Sequence, residues 1–275
     1  LAGEKKLQEL IPDLVRVFER CLKNPVKTDP GCRAKCGAVE ALTALEYERA
    51  DLFLAGLHCV QKEPAWGDPV DTADKLRGLC AYALYAAGHP RLFFHLVDLL
   101  QDPEPVARTA AAQVLGSIDS EVSELLLRMK AHQGDPEPAV LGECLGGLMH
   151  IAPQASLAFV AGFLVREDDA ASEAGFALAE SRLPEACAHL IAAHQRRIGA
   201  ARDALLLPIA LTRQDEAFTY LLGIVGESHP APAEAALRAL ATQPIGDGKK
   251  DRVAATVRAR GDADLDAVLR DAFPP

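Results

Sequence analysis

Apolar residues recur every three to four positions along most of this sequence, and turn-forming residues separate the runs. The clearest run begins at Asp102 with the letters DPEPVARTAAAQVLG. Its apolar positions form one stripe at helical spacing, namely Val106, Ala110, Ala111, Val114 and Leu115. Aspartate accepts hydrogen bonds from the free amides at a helix start, and proline fits the first helical position. The pattern therefore predicts a turn followed by an amphipathic helix.

This unit repeats along the chain. A second copy begins at Asp135 with DPEPAVLGECLGGLM, 33 residues after the first. Weaker copies begin near Asp29, Asp68, Asp168, Gly199 and His229. Between them the periodicity predicts partner helices over 91–101, 121–133, 153–165, 184–197 and 214–227. Helix pairs that repeat at this period stack into a solenoid, because one pair cannot bury its own apolar face.

No segment shows the alternating pattern of a strand, so the sequence predicts an all-α fold. We expect a single domain over 1–275, with a capping helix in 1–24, repeats over 25–245 and capping helices over 246–275. Segment 61–72 contains Pro64, Trp66, Gly67 and Pro69, and it is expected to be a longer connection than the others.

The segment from Asp102 to Arg108, with the alanines and the Val-Leu-Gly that follow, resembles the second helix of a HEAT repeat. It is most similar to the short bacterial kind first noted in phycobilisome lyases. The resemblance implies a right-handed α-solenoid of about seven to eight antiparallel helix pairs. In HEAT proteins an Asp and an Arg of successive repeats often form a ladder. Here the Arg place holds Lys35, then Arg108, then Leu141, so we expect an incomplete ladder.

Cysteine usage indicates a reducing compartment. The seven cysteines are Cys21, Cys32, Cys36, Cys59, Cys80, Cys144 and Cys187, and most lie among alanines and leucines in helical patterns. Such thiols behave as small buried hydrophobic groups, which favours the cytoplasm. Cys32 and Cys36 lie one helical turn apart and could bind zinc together with His58 and Cys59, but buried structural thiols are the favoured interpretation.

Charge is unevenly distributed along the chain. Residues 36–194 hold 10 basic and 23 acidic side chains, a net charge of −13. An acidic segment repels phosphate backbones and favours protein partners that are basic or of mixed charge. No apolar stretch reaches the ~18 residues that a membrane span needs.

The sequence contains no recognisable catalytic constellation, so we expect neither an enzyme nor a cofactor or metal. A nucleophile elbow is absent. The segment Gly246-Asp-Gly248-Lys249-Lys250 lacks the spacing of a phosphate-binding loop, and it is interpreted as a turn followed by a basic helix start.

A partner-binding surface is predicted on the second helices of the repeats. The candidate residues are Arg108, Leu141, Gly142, Glu143, Leu145 and Met149. Glu143 lies deep in its helix, where an acidic group suits a basic partner. Gly142, Gly146 and Gly147 are destabilising inside a helix. They indicate either close helix packing or a smooth surface on which a partner lies.

The favoured function is a non-catalytic scaffold or adaptor that binds another protein along the concave face, as HEAT proteins commonly do. One alternative is a HEAT-like protein that binds or repairs nucleic acid, which would need a basic track such as Arg196, Arg197 and Arg202. A second alternative is a chaperone related to bilin lyases, which only the family resemblance suggests.

Overall fold

The computed structural model describes residues 8–273 and divides the chain into two compact units, Leu1–Gly147 and Leu148–Pro275. Residues 1–7, the start of the segment 1–24 in which a capping helix is predicted, lie outside the described residues. The all-α prediction is confirmed, because the strands in the described residues are two short ones, β1 (Lys62–Glu63) and β2 (Val70–Asp71). They pair antiparallel, with Lys62 opposite Asp71.

The first unit consists of helix pairs joined by short loops. Its helices are α1 (Ile11–Leu22), α2 (Pro25–Thr28), α3 (Arg33–Ala44), α4 (Ala50–Leu57), α5 (Asp74–Ala86), α6 (Leu92–Leu99), α7 (Pro105–Gly116), α8 (Glu121–Gln133) and the greater part of α9 (Pro138–Ile151). The second helices of the pairs stack side by side, α3 on α5 and α5 on α7, while α4 packs on α5 and α6 on α7. This stacking within the unit is the one that the HEAT resemblance implies.

The second unit repeats the arrangement. Its helices are α10 (Pro153–Gly162), α11 (Asp169–Ser181), α12 (Pro184–Arg196), α13 (Gly199–Asp203), α14 (Leu206–Leu211), α15 (Asp215–Glu227), α16 (Pro230–Ala241), α17 (Asp247–Arg260) and α18 (Ala263–Ala272). Here α11, α14, α16 and α18 stack in order, and α10, α12, α15 and α17 are their partners. The interpretation of 246–250 as a turn and a helix start is confirmed, since α17 begins at Asp247 with Gly246 as its N-cap.

Local sequence signals explain where the helices begin and end. Pro105 occupies the first turn of α7, where a missing amide hydrogen has no cost. Ser120 caps α8 by accepting a hydrogen bond from the Val122 amide at 3.1 Å. Gly134, with φ of 76°, ends α8. In the part of the chain that the structure describes, no helix combines the length and apolar character needed to cross a membrane.

Glycines let neighbouring second helices approach closely in the first unit. A Cβ on Gly147 would lie 3.0 Å from the Gly116 Cα, and a Cβ on Gly78 would lie 2.5 Å from the Ala110 Cβ. The interpretation of Gly147 as a close-packing residue is therefore confirmed. Gly146 differs, because a Cβ there would meet nothing within 4 Å.

Candidate protein-binding groove

The turns that precede the second helices of the first unit are held by buried ion pairs. Lys35 is fully buried, and its Nζ donates to the Asp29 Oδ2 at 2.8 Å and to the Gln61 Oε1 at 2.7 Å. Burial is the largest single influence and opposes ionisation of Asp29, but the hydrogen bond from the Lys35 side chain, those from the Ala34 and Lys35 amides and the charge of Lys35 together hold the pKa of this carboxyl below its usual value. The first step of the predicted ladder is thus present.

Arg77 supplies a step that the sequence reasoning missed. Its guanidinium donates to the Asp71 Oδ2 at 2.9 Å and to the Asp102 Oδ1 at 2.9 Å, so it joins two consecutive repeats. The missed signal is a spacing of six residues between aspartate and cation, shared by Asp71 and Arg77 with the pair of Asp102 and Arg108. The repeat start predicted at Asp68 lies three residues before Asp71, so that prediction misaligns this repeat by three residues.

Arg108 closes the next junction. It binds Asp135 through two hydrogen bonds, of 2.8 Å from Nε and 2.7 Å from the second guanidinium nitrogen. The Lys130 Nζ lies 2.8 Å from the Asp135 Oδ2. Burial opposes ionisation of Asp135, but the hydrogen bonds from Arg108 and Lys130 lower its pKa to about 2. Leu141 holds the expected Arg place here, and Lys130 from the preceding helix supplies the second cation instead.

Beside these turns, the second helices form an apolar groove of about 770 Å³. We call it the α5–α7 groove, and its apolar lining comprises Leu79, Tyr82, Val106, Ala110 and Val114. Tyr82 is 52% exposed and Val106 is 48% exposed. Because α5 and α7 approach closely at Gly78, the two helices together form the floor of the groove. The surface is therefore apolar, accessible and formed by stacked helices.

The rim of the α5–α7 groove carries more free carboxylates than free cations. Lys75 lines the groove, but its Nζ lies 3.1 Å from the Glu40 Oε1. Glu137 also lines it, and Glu143, on α9, accepts a hydrogen bond from the lining residue Gln113 at 2.8 Å. Within residues 8–273, neither Glu137 nor Glu143 forms an ion pair. The rim thus favours a partner that brings positive charge.

The connection predicted over 61–72 is a β-hairpin that stands next to this groove. The Lys62 Nζ lies 3.3 Å from the Glu104 Oε1, immediately before the start of α7, where Val106 lines the groove. Trp66, in the hairpin loop, is wholly exposed and is the sole tryptophan of the chain. Tryptophan is enriched among the residues that dominate binding energy at interfaces.

The six predicted partner-binding residues do not form one surface. Leu141, Leu145 and Met149 are 7%, 0% and 4% exposed, so their side chains belong to the core. Arg108 is 8% exposed and its guanidinium is occupied by Asp135. Partner binding stays a prediction for Gly142 and Glu143, which are half-buried.

The apolar stripe predicted on α7 is only partly buried. Ala111 and Leu115 are fully buried. Val106 instead faces the α5–α7 groove, and the half-buried Ala110 lines it beside Val106. The stripe is wider than the contact with neighbouring helices, so its edge remains accessible.

The thiols and histidines form no metal centre in the described residues. All seven cysteines are free, and burial raises the pKa of the Cys80 thiol. Three histidines do meet, with ring centroids of His58 and His95 6.0 Å apart and those of His89 and His95 5.4 Å apart. Burial and the two neighbouring imidazoles lower the pKa of His95. No group of three or more potential ligands among residues 8–273 could hold a metal ion.

No family model and no curated protein matches the chain. Among solved structures, it is similar to the complex of CpcE and CpcF of phycocyanin lyase from Nostoc sp. PCC7120, with 18% identity over 88% of this chain and 94% of that chain and a TM-score of 0.41. It is also similar to human deoxyhypusine hydroxylase in complex with glycerol, with 17% identity over 98% of this chain and 96% of that chain and a TM-score of 0.32. Neither likeness carries a function to this chain.

Proposed function

We propose that this chain is a non-catalytic interaction scaffold, and that it binds a helix of a partner protein in the α5–α7 groove. The observation that carries the proposal is the accessible apolar floor formed by Tyr82 and Val106 on stacked second helices. An amphipathic helix that lays its apolar face into such a groove is a common mode of recognition.

The rim charges define the partner further. Glu137 and Glu143 stand without ion pairs among the described residues, while Lys75 is neutralised by Glu40. We therefore expect a helix with an apolar stripe and lysine or arginine on one flank. The same carboxylates disfavour a nucleic-acid backbone at this site, because its binding depends on cations that displace counterions.

Trp66 is the expected anchor at the edge of the interface. The Lys62–Glu104 ion pair places the hairpin beside the start of α7. A partner helix that lies in the groove can then cover the indole, and burial of an aromatic ring removes a large apolar area from water. Trp66 fluorescence also reports binding directly, since the chain has one tryptophan.

The test uses two model helical peptides with the same leucine pattern, one with lysine and one with glutamate at the polar positions. The full chain is titrated with each, and Trp66 emission is recorded. We expect the lysine peptide to bind at least about tenfold more tightly, with a blue shift as the indole leaves water. Equal binding of the two peptides, or no binding of the lysine peptide, would contradict the proposal.

Two matched variants locate the site. Val106→Asp puts a charge into the groove, and Val122→Asp makes the same change at a valine of α8 with nearly equal exposure, 45% against 48%. We expect the first variant to lose binding about tenfold or more and the second to bind as the wild type does. Both must first give the circular dichroism spectrum and melting temperature of a folded chain. Loss of binding in both variants, or in neither, would place the site elsewhere.

A further inference from the structure

The start of α3 carries two cysteines that lie one helical turn apart. Cys32 is the N-cap of α3 and is 0% exposed, and Cys36 is 8% exposed. Four residues of helix separate two Cα atoms by about 6 Å. A disulfide needs a Cα separation of roughly 4–7 Å, so the spacing of these two cysteines allows one. Neither of them lines the α5–α7 groove.

The two thiols interact directly, and the interaction makes them unequal. A hydrogen bond between them raises the pKa of Cys32 and is the largest influence that lowers the pKa of Cys36. The charge of Lys75 lowers the pKa of Cys36 further, while burial and the nearby Glu40 oppose the change. Cys32 therefore keeps its proton and donates it, and Cys36 is the thiol that ionises. The thiolate is the reactive form of cysteine.

Cys36 also lies beside open space. It lines a cavity of about 510 Å³ between α3 and the start of α5, together with Gly37 and Lys75. A Cβ on Gly37 would meet nothing within 4 Å, so the neighbouring position leaves the cavity open. Hydrogen peroxide is little larger than water and fits such a cavity. The thiols that are 0% exposed outside this turn are Cys80, Cys144 and Cys187.

The backbone holds Cys32 in an unusual conformation next to Cys36. Its φ is 56°, in the left-handed region that residues other than glycine rarely adopt, and Gly31 before it has a φ of 70°. The Asp29 carboxylate fixes this turn, because it accepts hydrogen bonds from the Ala34 amide at 2.6 Å and the Lys35 amide at 3.1 Å. Residues held in this way cluster at functional sites.

We propose that Cys36 is an oxidation site for hydrogen peroxide and that Cys32 converts the product into a disulfide. The Cys36 thiolate attacks one peroxide oxygen, the O–O bond breaks, and the departing hydroxide takes a proton to become water. Cys36 is thereby oxidised to a sulfenic acid. The Cys32 sulfur then bonds to the Cys36 sulfur, and the sulfenic oxygen leaves as a second water. Two thiols lose two hydrogen atoms, and the peroxide is reduced to two waters. The reaction needs no partner in the α5–α7 groove.

Peptide mapping identifies the bond, because trypsin cleaves after Arg33 and Lys35 and so separates the two cysteines. The reduced full chain is treated with hydrogen peroxide, alkylated with N-ethylmaleimide in urea, digested and analysed by mass spectrometry. We expect the peptides 28–33 and 36–49 to be joined, while the remaining cysteines are alkylated. Alkylation of both Cys32 and Cys36 after the treatment, or a bond from either of them to Cys59, would overturn the proposal.

Serine variants separate the two roles. Cys32→Ser keeps the attacking thiol, so the sulfenic acid should persist at Cys36, where dimedone labels it. Cys36→Ser leaves Cys32 as a buried thiol, and its labelling should be at least about tenfold slower. Cys187→Ser, the same change at a fully buried thiol of α12, should form the disulfide as the wild type does. Equal labelling of Cys32 and Cys36 in the two single variants would overturn the assignment of roles, and the mapping of the wild-type chain stands even if a variant does not fold.

Discussion

The two units place their charged side chains differently. In the first unit, Lys35, Arg77 and Arg108 are 0%, 3% and 8% exposed, and each binds an aspartate at the start of a second helix. In the second unit, the ion pairs of Arg166 and Arg238 lie at the surface, where both side chains are more than half exposed. Surface pairs of this kind contribute little to stability.

In the second unit, hydrogen bonds between uncharged groups join neighbouring helices and loops instead. The Gln214 Nε2 donates to the Arg182 carbonyl at 2.7 Å, and the His194 Nδ1 lies 2.8 Å from the Tyr220 hydroxyl. His194 is 1% exposed, and burial followed by the nearby Arg202 lowers its pKa to about 4. The same helix-pair architecture is thus compatible with two kinds of junction, one ionic and one uncharged. They differ in how they respond to mutation and to acid.

Loss of one ladder cation is expected to have the largest effect. Arg77→Met leaves the buried Asp71 and the half-buried Asp102 without their shared cation, which should cost about 3–5 kcal/mol of unfolding free energy. Arg238→Met, its control in the second unit, should cost about 0–1 kcal/mol because that pair is exposed. Urea unfolding at pH 7, followed by hydrogen exchange of each unit, gives both values. Equal losses would show that the ladder is not a special source of stability.

Acid should open the second unit before the first. The folded pKa of His194, about 4, lies below its usual 6.5, so the unfolded state binds more protons between these values. The stability that the neutral His194 contributes is fully present above pH 6.5 and is lost as the pH drops, by about 3 kcal/mol at pH 4. The pKa of Asp135 is lowered from 3.8 to about 2 on folding, so its contribution to the ladder is lost only below about pH 4. Hydrogen exchange of the two units at pH 7, 5 and 3 measures the order.

A histidine variant serves as the control for this order. His194→Gln cannot acquire the charge, so its second unit should keep its stability between pH 6.5 and 4. His95, whose pKa is also lowered, makes a smaller contribution in the first unit because its ring is partly exposed. A first unit that opens before the second at pH 5 would contradict the assignment of the acid response.

The smallest effect is expected for alanine substitutions at two adjacent glycines, which should change the stability in opposite directions. Gly147→Ala forces a Cβ to within 3.0 Å of the Gly116 backbone and the Leu127 side chain, which should cost about 1–3 kcal/mol. Gly146→Ala enters open space inside the same helix and should stabilise it by up to about 1 kcal/mol. Melting temperatures of the two variants give the signs. Destabilisation by both would mean that α9 itself, not its contact with α7, is sensitive.

Strong local periodicity made much of the fold predictable. The helix predicted over 121–133 is α8 at the same residues, and the turns before α7 and α9 follow the repeated Asp-Pro-Glu-Pro letters. The hairpin at 61–72 was not predicted, because its strands are two residues long and leave no alternating pattern. Short elements of this kind depend on neighbours rather than on their own sequence.

The site was harder to predict because a helical stripe does not reveal which of its edges is covered. Val106 and Leu115 belong to the same stripe, yet one is half exposed and the other is fully buried. Leu145 has the same residue type as Leu79, which lines the groove, and yet Leu145 lies in the core. The role of Lys130 could not be predicted from residue spacing within one repeat, because this side chain pairs with Asp135 from the preceding helix.

The ladder also constrains how such a chain can be rearranged by duplication or deletion. Arg77 and Arg108 each bind the aspartate of the next repeat, so these two cations join successive repeats, whereas Lys35 binds Asp29 of its own repeat. A recombination that inserts or removes one whole period brings an aspartate and a cation together again. A recombination breakpoint inside a repeat separates an aspartate from its cation and leaves one buried charge without a partner. In the first unit, duplications and deletions are therefore expected to be tolerated when they add or remove complete repeats.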